Sequence, residues 1–259
     1  MDIISRPAAT RPVAFTTDGG IAARAAIGLI VLGTDQTIEH EYRMMLTLPG
    51  VAVYESRIWN DATITPETLR AMDGGIAEAA RLILPGMKLD VVGFGCTSAT
   101  MVLGEAQVGA RIHEARPGVA VTTPVTAAFA AFRALRAQRI AVLTPYAPAV
   151  NEGIRAYIEA AGFSVCAMAS FNEPDDRIVA LISEASIADA AASLVAGSGA
   201  QALFVSCTSL RLVEQIAALE ARIGIPATSS NHAMGWHSLR LAGVADSLRF
   251  GRLFTLAPD

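Results

Sequence analysis

The sequence has little charge: Asp, Glu, Lys and Arg make up 17% of 259 residues and the formal net charge is only -4. Its basic residues are scattered, so no stripe is available to neutralise a phosphate backbone, and nucleic-acid binding is excluded as a function class. Cysteine is also scarce. Three residues with no CxxC pair argue against a disulfide framework and leave free thiols. Of the four histidines, His232 and His237 lie five apart, a spacing that does not put two ligands on one helical face, and no metal site is expected. Gly93 and Gly95 flank Phe94 without a third glycine in place, so a dinucleotide fingerprint is absent. Long apolar runs are missing as well. One uncharged apolar stretch, residues 118–132, holds three threonines and a proline and is too short and polar for a bilayer. Arg6 and Arg11 fall where a signal peptide needs its apolar segment, and a cytoplasmic protein is expected.

What is abundant is apolar side chain, 53% of the residues, which suits parallel sheets buried on both faces. Short apolar runs at residues 26–32, 51–54, 89–94, 119–122, 139–144, 163–167, 202–206 and 225–228 read as strands. They alternate with helical patterns over 66–84, 125–136, 149–161, 176–196, 210–223 and 233–242. The expected fold is α/β with parallel sheets. An internal offset then organises the chain. Asp35 and Tyr146 close two similar strands 111 residues apart, Cys96 and Cys207 are also 111 apart, and Asn60 and Asn172 differ by 112. Two pseudo-symmetric lobes follow, each a short parallel sheet flanked by helices, with the site in the cleft between them. The first is assigned residues 1–118 completed by 229–259, the second residues 119–228.

Each cysteine ends a strand in a matched context, Cys96-Thr97-Ser98 and Cys207-Thr208-Ser209. Ligands of open parallel sheets collect at such strand ends. A helix starting there would lower the thiol pKa, and the four hydroxyl residues would cap it or bind a carboxylate. Two thiols facing one cleft suit stereochemical inversion, one removing a proton from carbon and the other supplying one. They also suit addition of a thiolate to an activated double bond. Cys166, in an apolar strand, reads as packing. His40, Glu39 and Glu41 read as a solvated helix face, and Met44 and Met45 as core filler. His232, in the loop after the last strand, is a candidate substrate contact. A protein of another class, a non-catalytic carboxylate-binding module, would share the fold but has no use for matched thiols.

These motifs, with residues 226–231 (PATSSN) and the late residues 249–254 (RFGRLF), resemble the maleate isomerase and arylmalonate decarboxylase branch of the aspartate/glutamate racemase superfamily. The likeness covers about residues 26–254. It implies a cofactor-independent isomerase or racemase of a small dicarboxylate or amino acid, with Cys96 as nucleophile and Cys207 as proton donor. Tyr146 and Asn172 match the family's carboxylate-binding positions. Decarboxylases of the branch carry glycine at the position of Cys96, so decarboxylation is the alternative activity. Asp35 stands where maleate isomerases have asparagine, and the same loop is similar to racemase-like proteins of ectoine utilisation. An ionised Asp35 beside a substrate carboxylate would cost roughly 1–4 kcal/mol at 4 Å, so it hints at an amino-bearing substrate. A homo-oligomer is also expected.

Overall fold

The computed structural model describes residues 10–257; Arg6, used above against a leader segment, lies outside them. Among the described residues no helix is long and apolar enough to cross a membrane. Among the described residues eight strands form where the apolar runs predict them: β1 Ala25–Leu32, β2 Val51–Ile58, β3 Val91–Phe94, β4 Ala120–Thr122, β5 Arg139–Thr144, β6 Ser164–Ser170, β7 Ala202–Val205 and β8 Ala227–Ser229. The helices are α1 Ile38–Met45, α2 Pro66–Ala71, α3 Asp73–Leu82, α4 Thr97–Leu103, α5 Glu105–Ala115, α6 Pro124–Ala134, α7 Pro148–Ala160, α8 Asp176–Val179, α9 Glu184–Val195, α10 Ile216–Ile223 and α11 Ser230–Leu241.

The strands make two four-stranded parallel sheets, ordered β2-β1-β3-β4 and β6-β5-β7-β8. The orders are identical once four is added to each label, which is the duplication that the 111-residue offset announces. β1 and β7 are buried along their whole length, as strands covered by helices on both faces must be. One boundary needs correction. Residues 120–122 were assigned to the second lobe, but they hydrogen-bond to β3 in the first sheet. The chain crosses after them, at Thr123, whose side chain caps α6.

The crossing helices knit the halves together. α6 leaves the first sheet and turns Val125, Ala128, Phe129 and Phe132 into the core of the second. Its opposite stripe, Ala127 and Ala131, meets the core beneath α11. α11 does the reverse: it leaves the second sheet and packs Ala233, Met234, Trp236 and Leu239 against Ile27, Leu29 and Val31 of the first. Small residues on α6 permit that close approach. Because each core borrows a helix from the other half, neither half closes its core alone.

Several helices differ from their sequence patterns at physically sensible places. The predicted 66–84 helix breaks at Met72, and 176–196 breaks at residues 180–183. There Ser183 caps a new start. α5 was not anticipated; it begins after Gly104, whose φ of 86° belongs to the left-handed region and ends α4. Gly95 has a reason other than phosphate binding. A Cβ there would lie 3.0 Å from the Ile30 carbonyl oxygen, so only glycine lets β3 turn directly into Cys96.

Candidate active site

The two halves meet along a narrow cleft at the C-terminal strand ends, closed down to a free volume of about 20 Å³, room for little more than a water. Cys96 comes from the end of β3 and Cys207 from the end of β7; both line the cleft. Thr97, Ser98, Tyr146 and Thr208 line it too, together with Asn60, Asp61, Thr63 and Asp176. Leu32, Ile64, Leu69 and Met72 supply its apolar wall. The segments that follow β2 and β6 roof it. They pair with each other through an antiparallel bridge between Thr63 and Asp175, with Ile64 N donating to Pro174 O at 3.4 Å and Asp176 N to Ala62 O at 3.3 Å.

The cysteines are held differently. Cys96 is the N-cap of α4, its sulfur accepting from Ala99 N at 3.4 Å and lying 3.8 Å from Ser98 Oγ. The Thr97 hydroxyl is 2.8 Å from that of Ser230, at the start of α11. No helix follows Cys207 directly, contrary to the sequence expectation; a turn leads to a 3-10 segment at Val213–Gln215. First-half side chains fix this turn instead. Thr37 donates to Ser209 O at 3.0 Å. Glu41 accepts from Leu212 N and Val213 N at 2.7 and 2.8 Å. The Asn231 amide joins Glu41 to Thr208 O, 2.7 Å each way. Ser209 N then points at Cys207 Sγ, 3.4 Å away, and the Tyr146 hydroxyl lies near the same sulfur without an aligned hydrogen bond.

Placing a thiol at a helix start does not lower its pKa here. Each cysteine is only 3% exposed, and burial pushes both up to about 12. The Asp176 and Asp35 carboxylates add to that shift, and the N–H groups of Ala99 and Ser209 only partly oppose it. The resting cleft therefore holds neutral thiols. Cys166, half-buried on β6, has a sulfur 3.6 Å from Ile140 O. Alkylation should follow access and thiolate fraction. Iodoacetamide near pH 7 is thus expected to label Cys166 before Cys96 or Cys207, the reverse of what the helix-terminus argument predicts. Peptide mass spectrometry over a short time course decides it, and faster labelling of either cleft cysteine would contradict the burial described here.

Other sequence candidates separate clearly. Asp35 lies behind the cleft, not on its surface. Its Oδ1 accepts from Thr37 N and Ile38 N at 2.7 and 2.8 Å and so starts α1, while Oδ2 is buried without a partner. Burial raises its pKa to about 6; the Ile38 and Thr37 N–H groups oppose this, as does the Thr208 hydroxyl, which is near but not aligned. Ser209 also sits one step back, donating to Asp176 Oδ1 at 2.7 Å. Asn172 is exposed, with a left-handed φ of 54°, and does not line the cleft. His232 is fully buried with both ring nitrogens engaged, Nδ1 by Thr228 Oγ1 at 3.0 Å and Nε2 by Phe250 O at 2.8 Å. It is a core histidine held neutral, its pKa lowered by burial to about 4. Glu41 is no solvated residue either; it is buried in the clamp on the Cys207 turn.

The main residue the sequence reading missed is Asp176. It begins α8, is 4% exposed, and accepts from Ser209 Oγ and from Thr34 Oγ1, the latter at 2.6 Å. Asn60 in turn donates to Thr34 Oγ1 at 2.9 Å, so one hydrogen-bonded chain crosses from the first half to the second. The only available signal was the set of second-strand offsets, and that pointed to Asn172, four residues too early.

Residues 60–254 match the family model described as arylmalonate decarboxylase. A maleate isomerase of Nocardia farcinica is 31% identical over 83% of this chain and 88% of its own. An arylmalonate decarboxylase of Bordetella bronchiseptica is 29% identical over 74% and 82%. Among solved structures, a cysteine-to-serine mutant of the Nocardia farcinica maleate cis-trans isomerase, carrying a covalently bound succinylcysteine intermediate, superposes with a TM-score of 0.81. It has 27% identity and covers 89% of this chain and 98% of that one.

Proposed function

This chain belongs to the arylmalonate decarboxylase family, and from that premise we propose that it is a two-cysteine isomerase of a small carboxylic acid. The observation that carries the reading is the pair of thiols, one from each half, on a single enclosed cleft. A decarboxylase needs one proton donor; an isomerase uses two groups on opposite faces of the reacting carbon. The covalent succinylcysteine of the structural relative shows that such a cleft supports addition of sulfur to carbon in that protein.

Two related steps fit the geometry. In cis–trans isomerisation, the Cys96 thiolate forms a C–S bond to an alkene carbon and Cys207 protonates its neighbour. Rotation about the resulting single bond and reversal of both transfers restore the alkene and both sulfurs. In racemisation, one thiolate takes the proton on Cα and the other thiol gives its proton to the opposite face, so the two sulfurs exchange protonation states. Both balance with sulfur and substrate alone. Tyr146, whose hydroxyl lies near Cys207, favours the thiolate of that cysteine. Thr97, Ser98 and Thr208 offer neutral hydroxyl donors to a carboxylate.

The purified protein should be incubated in heavy water with a panel of unsaturated diacids, amino acids and aryl-substituted malonates. Isomerised product, or deuterium at Cα with loss of optical purity, is the expected result. Carbon dioxide release from the malonates without isomerisation of any acid would establish the decarboxylase instead. No exchange and no product would leave a carboxylate-binding protein and overturn the proposal.

A further inference from the structure

The cleft is unusual in the sign of its charge. Among the described residues no Lys, Arg or His lines it, whereas Asp61 and Asp176 do. Asp176 lines the cleft together with the thiols and raises the pKa of both. Each of its oxygens accepts one hydroxyl, from Ser209 and from Thr34. A carboxylate has about four lone-pair sites, so its orientation is fixed while acceptor capacity remains. A second carboxylate lies immediately behind: Asp35 is buried, and its Oδ2 has no partner. Thr208, whose hydroxyl lies near Asp35, lines the cleft itself. Two buried carboxylates with unused acceptors, and no cation lining the cleft, make a poor receptor for a ligand that carries only negative charge, although Arg57 reaches the backbone of Asp35 from outside.

Resting on the two-thiol reading above, we infer that Asp176 makes this cleft selective for an acid bearing a cationic nitrogen, so that its substrate is an amino acid and its reaction inversion at Cα. An ammonium group seated on Asp176 supplies the missing counter-charge and the missing donors together. It also offsets the part of the thiol shift that the two carboxylates add to burial, so one thiol can release its proton to water once substrate is bound. That thiolate takes the Cα proton, and the second thiol protonates the opposite face. The substrate carboxylate is left to the neutral hydroxyl donors Thr97, Ser98 and Thr208. Asp176 is thus a specificity-determining residue of the second half, and Asp35 reinforces its charge from behind.

The test is titration calorimetry of the full chain with matched pairs of acids: aspartate and succinate, glutamate and glutarate, alanine and propionate, leucine and 4-methylpentanoate. At least one amino-bearing member should bind tenfold or more tightly than its deamino partner, and Asp176→Asn should reduce that ratio by threefold or more. Asparagine preserves the size of the side chain and partners for Ser209 and Thr34, and the variant's melting temperature checks that it folds. The wild-type comparison needs no variant at all. The inference is overturned if no amino-bearing acid binds more tightly than its partner, or if Asp176→Asn changes the ratio less than threefold. Binding is read without turnover, so failure of this selectivity and failure of the two-thiol chemistry give different results.

Discussion

Cys96→Ala and Cys207→Ala are each expected to lower kcat/KM for isomerisation by at least ~10³-fold, with Cys166→Ala close to the parent protein. Among the described residues each cleft cysteine is the one thiol that its half contributes to the lining, and nothing beside it can replace it in proton transfer. Ser98 and Thr208 carry hydroxyls, whose pKa is far too high to donate or accept at comparable cost. The double variant should be little worse than either single one, because two groups that act in one step fail together. Cys166 is on β6, outside the cleft lining, and its loss removes only a small half-buried side chain. Initial rates with a stereochemical or ultraviolet readout of product provide the measurement. If either single variant retained more than a hundredth of the parent activity, the opposed-thiol mechanism would be wrong.

The largest effect on stability is expected at Glu41, which the sequence presents as an ordinary surface acid. Glu41→Ala removes the acceptor for Leu212 N, Val213 N and Asn231 Nδ2. Buried donors left without partners cost about 1–3 kcal/mol each. Allowing for some relaxation, a total loss of about 3–5 kcal/mol should appear in urea or guanidinium denaturation. Turnover should fall as well, because the same residues fix the turn that carries Cys207. Glu41→Gln supplies a test with a sign. Burial raises the Glu41 pKa to about 7 from its ordinary 4.5, so the folded protein keeps a proton that the unfolded chain gives up. That contribution to stability is complete below the unfolded value and is lost as pH rises through about 7. Gln does not titrate, so its stability relative to the parent should improve from pH 5 to pH 8. An unchanged difference at the two pH values would falsify the buried-carboxyl reading.

Much of this architecture is legible in the sequence because parallel strands covered on both faces must be apolar throughout, and such runs are conspicuous in the chain. All eight strands fall at predicted runs, differing only at their ends. The 111-residue offset is legible for a similar reason. A duplicated unit repeats the same local physics, including the glycine that lets β3 turn into Cys96 and the small Ser206 at the matching place before Cys207. Helix interiors were read less well. Breaks at Met72 and at residues 180–183 depend on which neighbour each turn packs against, and α5 is marked by little more than Gly104.

By itself, then, the chain determined its two sheets, its repeat and the placing of two cysteines at strand ends. All are consequences of short-range patterns in which a residue's neighbours in sequence fix its role. Tertiary structure decided the environment of those cysteines and the identity of what faces them. Asp176 reaches the cleft only because residues 174–176 pair with 62–64 across the molecule, while Asn172, four residues earlier, is turned out to solvent. Glu41 becomes the clamp of the Cys207 turn, 171 residues away, and His232 turns into the core beside Phe254. The thiol pKa values rise because burial, set by the closing of two halves, outweighs the local N–H groups that a sequence can announce. Desolvation and charge act through space between residues distant in the chain, and no local pattern records them.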